Sequence, residues 1–379
     1  MIPFNKPYLS GNEIKYIEQA VTSGKISGDG IFTKKCHQFF EEKFGFKKVL
    51  LTTSCTDALE MAAILIDLKE GDEVIIPSYT FVSTANAFVL RGAKIIFADS
   101  ESNNPNIDIS KIEKLITSKT KAIVPVHYAG VACDMDGIMQ LANKYNLFVI
   151  EDAAQAIDST YKNKYLGSIG HLAAFSFHET KNIISGEGGM LVINDSQFEK
   201  RAEIIREKGT NRSQFFRGEI DKYNWVDIGS SFLPSDIIAA YLFAQLENLD
   251  SIQIKRKGLW NNYYNSLNDL ANKNFIKLPF TPSYASQNGH LFYFTCKDLN
   301  ERNDLLKFLK EKGISAVFHY ISLHNADFYT KGLNNSTTLI NSDYFTDTLI
   351  RLPLFYELTK NEQEMIVSTI TDFYSELNN

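Results

Sequence analysis

A repeated alternation of short apolar runs and helical stretches, starting at residue 48, constrains the fold most strongly. The apolar runs are KVLLTTS, DEVIIPS, KIIFAD, KAIVPVHY and LFVIED. Helical patterns lie between or after them, at residues 56–66, 80–91, 109–116 and 135–145. Apolar strands that alternate with helices predict an α/β fold, with a mostly parallel sheet flanked by helices on both faces. Ligands of such sheets bind beyond the carboxyl ends of the strands.

The length of 379 residues predicts two domains. Ser235 precedes DIIAAYLFAQLENL, a helix that is apolar nearly all round and is expected to be buried between domains or between subunits. We expect this helix to continue to about residue 271. The predicted division is a large α/β domain at 1–250 and a small C-terminal α+β domain at 251–379, built from the strands HLFYFTCK and ISAVFHY and two helices.

The composition excludes several classes of partner and cofactor. A formal net charge of -6 leaves no broad basic field for nucleic acid. Four cysteines lie far apart without a CxxC motif, and His319 and His324 are five residues apart, so no metal site is expected. The N-terminal MIPFNKPYLS is unlike a signal peptide, and no apolar run is long enough for a membrane span. We therefore expect a soluble protein of the cytoplasm, without membrane partners.

Two segments carry the residues that indicate chemistry. FSFHETKNIISGEGGM offers one amine, Lys181, on the loop after a short apolar strand, and EDAAQA places Asp152 and Gln155 at the end of another strand. A lysine that forms a Schiff base and a carboxylate that holds a pyridinium nitrogen protonated are what pyridoxal phosphate requires from a protein. Taken alone, a lysine is more often a solvated surface group and such an acid is more often a helix cap. The combination is what indicates this cofactor.

Further residues could complete such a site, although each has a simpler interpretation. Ser54, Cys55 and Thr56 join a strand to a helix start, where free backbone amides favour a phosphate, but Ser54 or Thr56 could also simply cap the helix. Phe81 follows a strand and could lie on a flat ring, or be core. Basic residues cluster within ten positions at 208–217 and could clamp a diphosphate or line a solvated loop.

With these residues in hand, the sequence resembles the sugar-nucleotide aminotransferases of the aspartate aminotransferase fold, which is the fold type I of pyridoxal-phosphate enzymes. The resemblance covers nearly the whole chain, from IPFNKPYLSGNE to RLPLFYELT, and its most specific portion is EDAAQ, FSFHETKN and GEGG in that order. It implies a dTDP-4-keto-6-deoxyglucose type of substrate, L-glutamate as amino donor, and a product used in surface polysaccharide.

The resemblance also implies roles for individual residues. It places the Schiff base on Lys181 and the pyridinium partner on Asp152. The family builds its active sites at a homodimer interface, where an Asn of the neighbouring subunit often reaches the phosphate; Leu233 aligns with that Asn, and Ser230 or Ser231 could replace it. The other implied cofactor contacts are Cys55, Thr56 and Ser176 on the phosphate, Gln155 near the phenolic oxygen and Phe81 against the ring. The implied candidates for the sugar nucleotide are His178, Arg212, His319 and His324.

Other functions remain open at this point. A related dehydratase or an aminotransferase acting at C3 of the sugar would use the same cofactor. In the dehydratases of this resemblance, His stands at the lysine position, so Lys181 favours transamination. A binding or regulatory protein of the same fold would be expected to lack Lys181 or Asp152, and both are present.

Overall fold

The strands form one large sheet and two small ones in the computed structural model, which describes residues 1–331 and 338–377. The strands are β1 (Lys48–Thr52), β2 (Glu73–Pro77), β3 (Lys94–Ala98), β4 (Thr120–Ile123), β5 (Phe148–Asp152), β6 (Thr160–Tyr161), β7 (Lys164–Tyr165), β8 (Leu172–Ser176), β9 (Gly189–Ile193), β10 (Phe292–Thr295), β11 (Val317–Phe318) and β12 (Leu349–Leu352). The large sheet has seven strands in the order β1-β9-β8-β5-β4-β2-β3.

Helices surround these sheets. They are α1 (Glu13–Thr22), α2 (Ile31–Phe44), α3 (Cys55–Leu65), α4 (Ser83–Val89), α5 (Ile109–Ile112), α6 (Met135–Tyr145), α7 (Glu199–Arg206), α8 (Arg212–Phe216), α9 (Asp236–Leu246), α10 (Leu249–Ser266), α11 (Asn268–Asn272), α12 (Leu299–Glu311), α13 (Asp327–Thr330), α14 (Ile340–Thr348) and α15 (Lys360–Glu376). Across the described residues, no helix has both the length and the apolar character needed to cross a bilayer.

The large sheet confirms the predicted α/β architecture. Strands β3, β2, β4, β5 and β8 pair in parallel. Strand β9 runs in the reverse direction, since it is antiparallel to both β8 and β1. The segment from β8 to β9 contains no helix, and a short connection of this kind joins antiparallel strands. This segment carries Lys181, so the reversal places the lysine beside the ends of the parallel strands.

Both faces of the sheet are covered, as the near-continuous apolar strands predict. Along β2, Ile75 packs into one hydrophobic cluster, while Val74 and Ile76 pack into the cluster on the opposite face. Successive side chains of a strand point to opposite faces, so a strand buried on both sides must be apolar at every position. The sheet is therefore a rigid support for the residues at its ends.

The long helix predicted after Ser235 is wrong in its extent. Helix α9 ends at Leu246 and α10 begins at Leu249, and Asn248 between them leaves the helical region with φ −105° and ψ 9°. Asn is a poor residue for a helix interior. Helix α9 is also not buried on every side of the single chain, because Tyr241 and Phe243 are partly exposed.

The C-terminal part has its own three-stranded sheet, in the order β10-β12-β11, and its own hydrophobic cluster. The sequence pattern predicted β10 and β11 but missed β12. Helix α10 contributes Leu259, Trp260 and Tyr263 to this cluster, and Ile2 joins it from the N-terminus. The division into domains at 1–250 and 251–379 stays a prediction.

Candidate active site

A cavity of about 620 Å³ lies where the carboxyl ends of the parallel strands meet the small sheet. The structure brings most of the predicted site residues to its wall. They are Ser54, Cys55, Thr56, Phe81, Asp152, Gln155, Ser176, His178, Lys181 and His319. Among the described residues, no group of His, Cys, Asp and Glu side chains is arranged to hold a metal ion.

Asp152 is the last residue of β5 and is only 5% exposed. Its Oδ2 accepts a hydrogen bond of 2.7 Å from the Thr84 hydroxyl, and its Oδ1 accepts one of 3.1 Å from the Ala154 amide. Burial raises the pKa of the Asp152 carboxyl, although the Thr84 hydroxyl and the Lys181 charge partly offset this. A cation placed against Asp152 would stabilise its ionised form.

Glu151, the residue before Asp152, is completely buried and supports the end of β5. Its carboxylate accepts hydrogen bonds from the amides of Gly167, Ile169 and Gly170. It also accepts one of 3.0 Å from Nε2 of His127, whose Nδ1 is occupied by the Cys133 amide. Burial raises the pKa of Glu151, but these donors outweigh it and lower that pKa below its ordinary value. Glu151 is therefore a structural support for Asp152.

We expect Glu151→Ala to lower the free energy of unfolding by about 3–5 kcal/mol, because it leaves four donors, three of them buried, without an acceptor. Urea denaturation followed by fluorescence measures the change. The matched control is Glu364→Ala, which removes an exposed carboxylate paired with Lys360 and should change stability by about 0.5 kcal/mol or less. Equal effects of the two substitutions would contradict the supporting role of Glu151.

Lys181 lies on the turn after β8, and its side chain faces the same cavity as Asp152. Burial lowers the pKa of its ammonium group, and the nearby Cys55 and Asp152 only partly offset this. A lysine whose pKa is lowered has more of the neutral amine that acts as a nucleophile and a base.

Asn182 fixes the position of the lysine. Its amide nitrogen donates to Gln253 Oε1 at 2.8 Å and to the Asn288 carbonyl at 2.9 Å. Its carbonyl oxygen lies 2.9 Å from Nδ1 of His290, which lines the cavity. The turn that carries Lys181 is thus held to α10 and to the segment before β10.

The start of α3 forms a polar niche on the cavity wall. The Ser54 hydroxyl accepts a hydrogen bond of 3.0 Å from the Asp57 amide, so Ser54 does cap the helix. The amides of Cys55 and Thr56 precede the first helical hydrogen bonds, and no acceptor for them is found among the described residues, so they can bind a ligand. A Cβ on Gly189 would lie 2.2 Å from the Ser54 carbonyl carbon, so only glycine allows β9 to pass this close to the niche.

Aromatic and amide side chains form another part of the wall. Phe81 is 55% exposed, and its ring centroid lies 6.1 Å from that of Tyr320. Gln155 accepts a hydrogen bond from the Ala129 amide and donates one of 3.3 Å to the Tyr320 hydroxyl. Phe81 therefore lies exposed on the cavity wall, and Gln155 is held in place.

Three predicted residues do not line the cavity. His324 is buried, and its Nδ1 lies 2.7 Å from the Ser78 hydroxyl. Arg212 begins the short helix α8 and stacks its guanidinium 5.0 Å from the Phe216 ring centroid. Ser231 is exposed and bridges to Glu207. Since Ser231 is predicted to act across a subunit boundary, its place in a single chain does not test that role.

Sequence reasoning missed several residues on this wall, namely Thr84, His290, Tyr320 and Arg351. Thr84 stands in a predicted helix and contacts Asp152 across 68 positions, so no local pattern marks it. Arg351 lies within RLPLFYELT, a segment that the sequence analysis connected only with the family resemblance. The sequence feature that could have marked Arg351 as a site residue is its position as an isolated arginine in an apolar run.

Comparisons with known proteins agree with this geometry. The family model described as the DegT/DnrJ/EryC1/StrS aminotransferase family matches residues 7–371. The spore coat polysaccharide biosynthesis protein SpsC of Bacillus subtilis is 31% identical over 380 residues, which cover 98% of this chain and 96% of SpsC.

Two solved structures have nearly the same fold. The aminotransferase from Psychrobacter cryohalolentis has a TM-score of 0.93 and 26% identity, with 100% of both chains covered. The putative sugar aminotransferase Spr1654 from Streptococcus pneumoniae, in its PLP form, has a TM-score of 0.90 and 26% identity, with 99% of both chains covered.

Proposed function

The chain belongs to the DegT/DnrJ/EryC1/StrS aminotransferase family, and from this membership we propose that it transfers the amino group of L-glutamate to C4 of a nucleotide-linked 4-keto-6-deoxyhexose. The proposed conversion is of dTDP-4-keto-6-deoxy-D-glucose to dTDP-4-amino-4,6-dideoxy-D-galactose, for surface polysaccharide. The observation that carries the proposal is a half-buried lysine and a buried aspartate facing one cavity, beside the first amides of α3.

The residues of the cavity fit pyridoxal phosphate, the cofactor of this family. The free amides of Cys55 and Thr56 suit a phosphate. Asp152, whose burial raises its pKa, gains from a cationic ring nitrogen beside it. Lys181 is an amine with a lowered pKa. When bound, the cofactor supplies an aldehyde that carries the amino group and a ring that takes up the electron pair released at the carbon undergoing reaction.

The chain's own residues then have separate tasks in the proposed reaction. The Lys181 amine would take up the proton that leaves Cα of the donor and, in the second half of the reaction, deliver a proton to C4 of the sugar. Burial lowers its pKa, which increases the share of the neutral amine that can act as this base. Asp152 would keep a proton on the ring nitrogen. The α3 amides would hold the phosphate, Phe81 would contact the ring, and Gln155 would contact its phenolic oxygen. In the second half of the reaction, the same residues act and the steps run in the reverse order.

We also infer that two chains share their active sites, with Ser231 reaching across to the phosphate of the partner. Exposed apolar side chains in the segment that precedes Ser231 support this contact. They include Phe216, Trp225, Val226 and Ile228, of which Trp225 is 75% exposed. Side chains of this kind gain most from being covered by a partner. His178 and His319, which line the cavity, are the remaining candidates for the sugar nucleotide.

The test is to incubate the purified protein with pyridoxal phosphate, L-glutamate and each of several nucleotide keto-sugars, and to identify the product by mass spectrometry and NMR. We expect an amino sugar only when glutamate is present, with nitrogen on C4. Nitrogen on C3 would indicate the related C3 aminotransferase. A deoxygenated sugar without nitrogen would indicate a dehydratase, and either result would overturn the proposal.

A further inference from the structure

His290 is a cavity residue to which the proposed reaction has assigned no task. It lies two residues before β10, is only 8% exposed and lines the cavity together with Lys181. Its Nδ1 lies 2.9 Å from Oδ1 of Asn182, the residue that follows Lys181 in the chain. Its backbone amide donates to Asn288 Oδ1 at 3.0 Å. The imidazole is therefore held against the turn that carries the lysine.

The hydrogen bonds of Asn182 determine where the proton of this imidazole lies. The Asn182 amide nitrogen donates to Gln253 Oε1 and to the Asn288 carbonyl, so both of its hydrogens are used. Gln253 is itself oriented, because its Nε2 donates to Asp158 at 3.2 Å. Asn182 Oδ1 is thus an acceptor, and Nδ1 of His290 must be the donor to it. A neutral imidazole with its proton on Nδ1 has a lone pair on Nε2.

His290 stays neutral near neutral pH. Burial lowers the pKa of its imidazole well below the ordinary value, and the charges of Lys181, Arg256 and Arg351 lower it further. Within the described part of the chain, no carboxylate pairs with the ring and no donor reaches Nε2. Because Nδ1 is turned to Asn182, the Nε2 on the other side of the ring offers a neutral acceptor beside the cavity.

The Lys181 amine is a donor on the same wall without a fixed partner. Its Nζ makes no hydrogen bond or ion pair with any residue that the structure describes, and its charge is close enough to His290 to lower the pKa of the ring. As a base, the amine has two N–H groups and one lone pair, and an acceptor that holds one N–H fixes the direction of the lone pair. A carboxylate in this position would also favour the ammonium form, which cannot act as a base. A neutral imidazole orients the amine without adding a negative charge.

We propose that Nε2 of His290 accepts a hydrogen bond from the Lys181 amine and so turns the lone pair of that amine toward the reacting carbon. The inference rests on the proposed function. His290 is then a positioning residue, and Asn182 sets its tautomer. The lysine side chain is flexible, so an amine without a fixed acceptor would spend less time in the reactive orientation.

A hydroxyl of the keto sugar is the competing donor to Nε2. Two features favour the lysine. Asn182, to which the ring is hydrogen-bonded, is the neighbour of Lys181 in the chain, so the ring and the amine keep their relation in every step. The lysine also acts in both halves of the reaction, whereas a sugar hydroxyl is present in only one. The two donors therefore predict different kinetic effects.

The first test is nitrogen NMR of the apoprotein with isotope-labelled histidine, in which the Lys181 amine is free. We expect His290 to carry its proton on Nδ1 and not to titrate between about pH 6 and about pH 9. His171 is the internal reference for the opposite tautomer, because its Nδ1 accepts from the Val149 amide at 2.9 Å. The signal of His290 is assigned by its absence from the spectrum of His290→Gln.

Lys181→Ala supplies the direct comparison in the same experiment. Removal of the amine should move the Nε2 resonance of His290 to higher frequency, as an unprotonated ring nitrogen does when it loses its donor. The control is Lys257→Ala, whose amine pairs with Asp158 at 2.8 Å outside the cavity, and it should leave this resonance unchanged. An unmoved resonance in Lys181→Ala, a proton on Nε2 or a titrating ring would overturn the inference.

The second test is a matched pair of substitutions in the holoenzyme. His290→Gln keeps an acceptor close to the position of Nε2, whereas His290→Asn keeps only a donor close to the position of Nδ1. We expect His290→Asn to lower the rates of both halves of the reaction by about 10- to 100-fold, with KM for each substrate changed by about twofold or less. His290→Gln should retain rates within about fivefold of wild type.

The remaining outcomes contradict the inference in distinguishable ways. Equal losses in the two variants would show that the ring serves packing and not the amine. A loss confined to the half of the reaction that uses the keto sugar would assign Nε2 to a sugar hydroxyl. If the wild type made no amino sugar from glutamate, the proposed function would fail, and the resonance of His290 in Lys181→Ala would still decide whether the contact with the amine exists.

Discussion

Lys181→Ala is expected to lower kcat by about 10⁴-fold or more, because it removes both the amine that bonds the cofactor and the base that moves the proton at Cα. Lys181 is half-buried, and the structure offers no other lysine on the described wall of the cavity. The loss should appear in both halves of the reaction. The assay is amino sugar formed from L-glutamate and the keto sugar under single-turnover and steady-state conditions.

A chemical readout accompanies this loss of activity. Borohydride treatment of the wild-type holoenzyme, followed by digestion and mass spectrometry, should place a pyridoxyl group on the peptide that contains Lys181. The control is Lys257→Ala, which removes a lysine paired with Asp158 at 2.8 Å outside the cavity and should keep both activity and labelling. Label on another lysine, or activity in Lys181→Ala within tenfold of wild type, would show that the assignment of Lys181 is wrong.

The fold could be predicted from the sequence because its signals are local. Apolar strands followed by helices define a mostly parallel sheet wherever they occur, and strand ends in such a sheet meet at one edge. That rule is enough to bring Asp152 near the start of α3. This rule does not predict the position of Lys181. Strand β9 reverses direction, and the turn that carries the lysine therefore folds back over this edge.

The rest of the site depends on contacts between distant parts of the chain. Thr84 reaches Asp152, and Arg351 reaches the cavity from the small sheet, through packing that no sequence spacing encodes. His319 and His324 also show that the sequence alone does not predict which side chains reach the cavity. Both were predicted to face the sugar nucleotide, but His319 lines the cavity and His324 is buried against Ser78. The two histidines are only five residues apart, and the path of the backbone after β11 determines which of them reaches the cavity.

Asp152 shows how function and stability oppose each other in this site. Burial raises the pKa of its carboxyl above the ordinary value, so the folded apoprotein binds this proton more tightly than the unfolded chain does. Stability from this group therefore falls as pH rises from the unfolded pKa of about 3.9 through the raised folded pKa. Once the pH exceeds the folded pKa, the apoprotein carries an ionised buried acid, and the Lys181 charge offsets only part of the cost of its burial. A cationic ring beside Asp152 would supply a further partner.

Asp152→Asn should therefore lower kcat by about 10²–10⁴-fold, because the ring nitrogen loses the charge that keeps it protonated. The same substitution removes the buried carboxyl and should raise the melting temperature of the apoprotein at pH 7. The gain in stability should vanish below about pH 4, where the wild-type carboxyl is protonated in both states. Pyridoxal phosphate should stabilise wild type more than the variant.

Thr84→Val removes only the hydroxyl that lies 2.7 Å from Asp152 Oδ2 and should lower kcat by about fivefold. An Asn variant with wild-type turnover, or one that melts lower than wild type at pH 7, would show that the Asp152 charge does not have this role.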